Sequence, residues 1–280
     1  MIGFIGSVFS PWYAWAGRRQ PENHVCLNVA LYGRGGRFAM TERGAEALRL
    51  APERLQIGPS AMSWDGTALT IEVDEISNPV ISRLRGRIRL RPTAITGVEL
   101  PLCGDGGHVW RPFAPTARIE VDLGRDLWRW QGHGYFDANF GTRALEADFS
   151  YWSWARLPRA GGTTATYDVE RRDGSALALA LQFWPDGGVT EIETPPLSRM
   201  ARSLWAVRRH ARADAGTVPR QVRSMLDAPF YSRSMIRTRL LGEEVEGVHE
   251  ALDLDRFANP LLQPMLALRV PRRSAWRFTD

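Results

Sequence analysis

Alternation of apolar and polar positions dominates this chain and predicts strands. Leu69, Ile71 and Val73 alternate with Thr70, Glu72 and Asp74. After a turn-like stretch at Asn78-Pro79, Arg83, Arg85, Arg87, Arg89 and Arg91 alternate with Leu84, Gly86, Ile88 and Leu90. The two runs read as an antiparallel hairpin whose acidic and basic rows face each other, a mildly favourable pairing. Ala117, Ile119, Val121 and Leu123 begin a third run, and a turn at Gly124 leads into WRWQGHGYFDANFG at 128–141. Further strands are expected at 151–157, 164–171, 176–184, 189–193 and 235–250. Short helices are expected at 41–50 and 197–213, and an irregular or helical segment at 253–268, which Pro260 and Pro264 interrupt. Many short strands with glycine turns point to an all-β protein of barrels or sandwiches.

The 128–141 segment stands apart from the other strands. One face carries Trp128, Trp130, Gly132, Gly134, Phe136 and Ala138; the other carries Arg129, Gln131, His133, Tyr135, Asp137 and Asn139. A row of His, Tyr, Asp and Asn on one strand face suits proton transfer. Taken alone, a Tyr-x-Asp pair on a strand is common, and an Asp before Asn-Phe-Gly often serves a turn.

Composition narrows the chemistry. The 280 residues suffice for one large all-β domain or two small ones. The net charge of +5 comes from 36 arginines and no lysine, which removes Schiff-base, pyridoxal-phosphate and P-loop chemistry that requires lysine. Arginine suits phosphate and lipid headgroups, but a solvated basic surface explains the charge more simply than nucleic-acid binding. Cys26 and Cys103 stand far apart, and the five histidines form no HExxH or zinc spacing. No disulfide and no metal site is expected. Residues 1–17 are apolar but shorter than the ~20 residues of a spanning helix. They lack a signal peptide's basic start and read either as a buried first strand or, through Trp12, Tyr13, Trp15, Arg18 and Arg19, as an interfacial segment.

Several segments together resemble one family, the carotenoid 1,2-hydratases or hydroxyneurosporene synthases. They are FIGSVFSPWYAWAGRR at 4–19, NHVCLNVALYG at 23–33, RFAMTERG at 37–44, WRPFAPTARIEV at 110–121, GHGYFDANFG at 132–141 and HEALDLDRFANPLLQPMLALRVPRR at 249–273. The last two are the most specific. The resemblance implies two tandem lipocalin-like β-barrel domains with a few short helices, placed here at 1–147, carrying the catalytic motif, and 148–280. It implies a hydro-lyase that adds water to the terminal C1–C2 double bond of acyclic carotenoids such as neurosporene and lycopene, with no organic cofactor. It also implies that Asp137 is the proton donor, supported by Tyr135, His108 and Trp110.

The residues agree with this as far as they go: Tyr135 and Asp137 are two apart, as are His108 and Trp110. To act as an acid, Asp137 must be kept protonated by burial. Aromatic faces at Trp110 and Tyr135 could stabilise a tertiary cation. His133 lies on the same strand face as Asp137 and could replace His108. The expected partners are the carotenoid, water and membrane lipid in peripheral contact, with no nucleic acid. The expected location is the cytoplasm, at the surface of the inner photosynthetic membrane. A non-enzymatic binder of a long apolar ligand is the alternative reading.

Overall fold

The computed structural model describes residues 1–279. Strands take up 53% of the chain and helices 11%, so the protein is all-β with a few short helices. The chain divides into two compact units. Among the described residues, the first comprises 1–92, 117–134 and 260–279, and the second comprises 93–116 and 135–259. This partition differs from a single cut at 147/148 for two reasons. The strands His108–Asp122 and Arg129–Gly141 are each shared between the units, and the C-terminal tail belongs with the N-terminal strands. The tail is held there by Arg272–Arg273, which pairs in parallel with Glu42–Arg43, and by the Arg272 guanidinium on the buried Glu42 carboxylate.

In the first unit, the expected hairpin forms from Leu69–Ser77 and Ser82–Pro92. Glu72 stands opposite Arg87, and Asp74 opposite Arg85. Arg83 forks onto Asp74 through two 2.7 Å bonds, and Arg87 approaches Glu72 at 3.7 Å. On the other side, Arg89 and Arg87 stand opposite Glu120 and Asp122 of the neighbouring strand, and Arg91 pairs with Glu120. The arginine ladder is thus matched by acids, each exposed pair contributing about 0–1 kcal/mol. Gly86 sits in this strand at φ +155°, and a Cβ there would meet the Asp122 carbonyl oxygen at 2.1 Å. The Gly86→Ala variant is therefore expected to lose about 3 kcal/mol of stability, because backbone must move to admit a single methyl. A urea melt checks this, and a loss under 1 kcal/mol would contradict the close approach.

The second unit is built on a seven-stranded antiparallel sheet. Its order is Val189–Glu191, Ala176–Phe183, Gly162–Arg171, Phe149–Arg159, Glu243–Asp253, Tyr231–Leu240 and Arg220–Asp227. The single strand expected at 235–250 is two strands of a hairpin. Leu241 and Gly242 turn between them with φ +51° and +80°, the pair of positive values a tight type I′ hairpin needs. The helix expected at 41–50 is instead a two-residue strand, a 3₁₀ turn at Ala45–Ala47 and the strand Leu48–Ala51. The helix expected at 197–213 is a small antiparallel pair, Leu197–Arg199 with His210–Arg212. Between those strands Ala206 takes φ +59°, which no helix accommodates. The helices Leu254–Phe257 and Gln263–Arg269 lie where the proline-interrupted tail was expected to turn helical.

Candidate functional site

The second unit places Trp110, Tyr135 and Asp137 together. Burial alternates along the front half of His108–Asp122, so that His108 and Trp110 both face inward. On the neighbouring strand Phe136 stacks on Phe113 at 5.7 Å, which leaves the opposite face to Tyr135 and Asp137. The Trp110 indole Nε1 donates to Asp137 Oδ2 at 2.8 Å, and the Tyr135 hydroxyl donates to the same oxygen at 2.9 Å. Both bonds fall on Oδ2, and among the described residues Oδ1 takes none.

This arrangement sets the carboxyl's chemistry. Tyr135 and Asp137 retain partial exposure as residues. Even so, burial is the largest influence on the Asp137 carboxyl and raises its pKa above the usual carboxylate range. The bonds from Trp110 and Tyr135 oppose that rise by favouring the ionised form; Glu250 adds to the rise and Arg233 opposes it. The Tyr135 hydroxyl is itself held well above its ordinary pKa by burial and by the Asp137 charge, so it stays a donor. In its protonated form, a carboxyl whose Oδ2 accepts two bonds carries the proton on Oδ1, directed away from both donors.

An aromatic surface on the seven-stranded sheet faces this carboxyl. Trp154 stands directly opposite Tyr167 on one neighbouring strand and Glu250 on the other, and Arg233 stands opposite Glu250. Residues directly opposite share a sheet face, so these four form one row. Trp110 packs on Tyr167 at 5.3 Å, Tyr135 packs on Trp154 at 5.3 Å, and Trp152 reaches Tyr167 at 5.9 Å. The Arg156 guanidinium lies 5.3 Å from the Tyr135 ring centre. The indole nitrogens of Trp152 and Trp154 are buried donors with no acceptor among the described residues.

Neither histidine weighed as a partner of Asp137 bonds to it. His133 is exposed. His108 is 3% exposed, and its Nε2 meets Asp148 Oδ2 at 2.8 Å while its ring packs on Phe149. Burial outweighs the Asp148 carboxylate and lowers the His108 pKa, which favours the neutral ring. Arg143 Nε donates to the same Asp148 oxygen at 2.9 Å and also holds Asp105. His108 thus pins the loop that follows the Tyr135–Asp137 strand. His108→Asn is expected to lower the melting temperature, with a loss of about 1 kcal/mol, because Asp148 loses the ring's bond and keeps only that from Arg143. The pH at which activity falls should stay unchanged; a shifted pH profile would give His108 a direct role.

Although the sequence shows no zinc spacing, folding brings donor atoms of Cys103, His108 and Asp148 within 4.8 Å of one another. Asp148 Oδ2 is already shared by His108 and the Arg143 cation, and burial raises the Cys103 thiol. Both features favour protons and a guanidinium over a metal ion at this spot.

Trp152, Trp154, Arg156 and Tyr167 were not among the expected site residues. Trp152, Trp154 and Arg156 alternate in YWSWAR, the period that assigns them to one face. Nothing in the spacing says which face meets Asp137.

Comparison with known proteins gives this geometry its context. The family model described as "Carotenoid hydratase CrtC" matches residues 1–279. The chain belongs to the carotenoid hydratase family. A relative from Cereibacter sphaeroides, named acyclic carotenoid 1,2-hydratase, is 62% identical over the whole of both chains. A second of the same name, from Rhodobacter capsulatus, is 56% identical, again over the whole of both. A carotenoid hydratase is a hydro-lyase, so the protein is an enzyme, and the reading as a non-enzymatic ligand binder gives way. A solved structure, the crystal structure of CghA with Sch210972, matches with a TM-score of 0.51 at 12% identity, covering 84% of this chain and 80% of that one. That likeness is one of fold alone. No helix among the described residues is long and apolar enough to cross a membrane.

Proposed function

We propose that this carotenoid hydratase adds water across the terminal C1–C2 double bond of acyclic carotenoids such as neurosporene and lycopene, with Asp137 as proton donor. The observation that carries this reading is the raised carboxyl of Asp137, held by two donors on one oxygen and faced by aromatic rings. Asp137 gives its proton to C2, and the electrons of the double bond form the new C–H bond. The tertiary cation at C1 is attacked by water, and the oxonium returns a proton to the Asp137 carboxylate. The sum is alkene plus water to tertiary alcohol, and the acid is regenerated.

Protonating an alkene demands a strong acid, whereas burial weakens Asp137. Two features offset this. The bonds from Trp110 and Tyr135 stabilise the carboxylate as it forms. The faces of Trp154, Tyr167 and Trp110 attract the developing cation through their ring quadrupoles, each contributing on the order of 0.5–2 kcal/mol. The buried indole donors of Trp152 and Trp154 can bond the new hydroxyl. His108 acts through position alone.

Incubation of the purified protein with lycopene in detergent micelles tests the activity. The expected product is more polar, with an unchanged visible spectrum, because the terminal double bond lies outside the conjugated chromophore. An unaltered carotenoid would overturn the reading. The substrate's insolubility supports a place of action at the cytoplasmic surface of the photosynthetic membrane, in peripheral contact with lipid.

A further inference from the structure

The first unit carries an apolar face that its own core does not cover. Along the C-terminal tail, Met265 and Leu268 lie three apart on one side of the Gln263–Arg269 helix, and Leu261 lies in the 3₁₀ turn Pro260–Leu262 just before it. Leu261 is 80% and Leu268 75% exposed, and Met265 is exposed beside them. The opposite side of this helix packs on the Pro11–Trp15 helix, where the Trp12 indole donates to the Val270 carbonyl at 2.6 Å. Val270 is anchored in a core cluster with Cys26 and Met40. Trp15, at the end of the N-terminal helix, is exposed. The Asn78 side chain donates to the Leu268 carbonyl, tying the 78–82 loop to the same helix. That loop exposes Val80 and Ile81, the latter by 81%.

Three short segments distant in sequence thus converge on six exposed apolar side chains. The two terminal segments that carry this face are rich in arginine. Residues 1–21 and 260–279 contain no Asp or Glu, and they supply Arg18, Arg19, Arg269, Arg273 and Arg277. An apolar tip flanked by arginines matches the interface of an anionic leaflet, where aliphatic and Trp side chains enter the headgroup layer and arginines bind phosphate. A symmetric contact between two copies would bring the same arginines together.

We propose that the Gln263–Arg269 helix, the Pro11–Trp15 helix and the 78–82 loop form the face with which the protein inserts into the surface of an anionic bilayer. The proposal deepens, and rests on, the reading that the substrate is drawn from lipid. The test is flotation of the full chain with phosphatidylglycerol vesicles and with phosphatidylcholine vesicles, at low and high salt. It compares the unsubstituted protein with the double variant Ile81→Asp/Leu268→Asp, and both proteins are assayed on detergent-solubilised lycopene. The unsubstituted protein should float with the anionic vesicles, less so at high salt. The double variant should lose at least tenfold in bound fraction and retain hydration in detergent. Equal flotation of both proteins would overturn the assignment of the face. So would an unsubstituted protein that stays in solution, or a concentration-dependent dimer abolished by the two substitutions. Absence of hydration by the unsubstituted protein in detergent would count against the hydratase reading alone, because flotation reports the face separately.

Discussion

Asp137→Asn is expected to fold as the parent does and to lose about 10²–10⁴-fold in hydration rate, the range that removal of a general acid costs. The amide has the carboxyl's shape, and its oxygen can still accept from Trp110 Nε1 and the Tyr135 hydroxyl, so the local packing survives. What is lost is the transferable proton. The folded state also registers the change. Burial raises the Asp137 pKa above its unfolded value, so this group favours folding most at low pH, and the contribution is lost as pH rises through the raised pKa. Asp137→Asn should remove that part of the pH dependence of the melting temperature. A folded Asp137→Asn protein with near-parental hydration would end the assignment of Asp137 as acid.

Tyr135→Phe should show the second largest effect, and its signature is a pH profile. With Asp137 as acid, kcat/KM is flat where the carboxyl is protonated and falls about tenfold per pH unit above its pKa. Burial places that limb above the ordinary carboxylate range. The Tyr135 hydroxyl bonds the ionised form more strongly than the neutral one, so removing it should move the limb to higher pH. A charge-assisted bond of roughly 1.5 kcal/mol corresponds to a shift of about one unit. The rate on the plateau should fall, because the carboxylate left after proton transfer has lost a donor. Trp110→Phe removes the other donor on the same oxygen and should move the limb the same way. A limb that moves to lower pH in either variant would contradict the donor roles given to these side chains.

Much of this was legible in the sequence, for a physical reason. A strand writes its two faces into the sequence with period 2, so Tyr135 and Asp137, and separately His108 and Trp110, could be assigned to common faces. The acid and base rows of the 69–92 hairpin were legible in the same way. Tertiary placement was not. Nothing in the spacing shows that His108 turns to Asp148, forty residues on, rather than to Asp137. Trp154 and Tyr167 reach the site because two neighbouring strands lie in a particular register, a long-range property that no local window contains. The expected helices at 41–50 and 197–213 failed because arginine- and alanine-rich stretches favour helix only until sheet pairing and a positive φ override them. The domain boundary was hidden for a related reason: the C-terminal tail returns to the N-terminal strands through Arg272 and Glu42, an attachment that no composition shift marks.

In this mechanism the new hydrogen and the hydroxyl oxygen both come from water, the hydrogen by way of the buried Asp137 carboxyl. Mass spectrometry of the product formed from lycopene in deuterated, ¹⁸O-labelled water tests it most directly. The expected product has gained ¹⁸O at C1 and one non-exchangeable deuterium at C2, and is formed by the parent protein and not by Asp137→Asn. A product whose oxygen carries no label, or labelled product formed equally by Asp137→Asn, would contradict it.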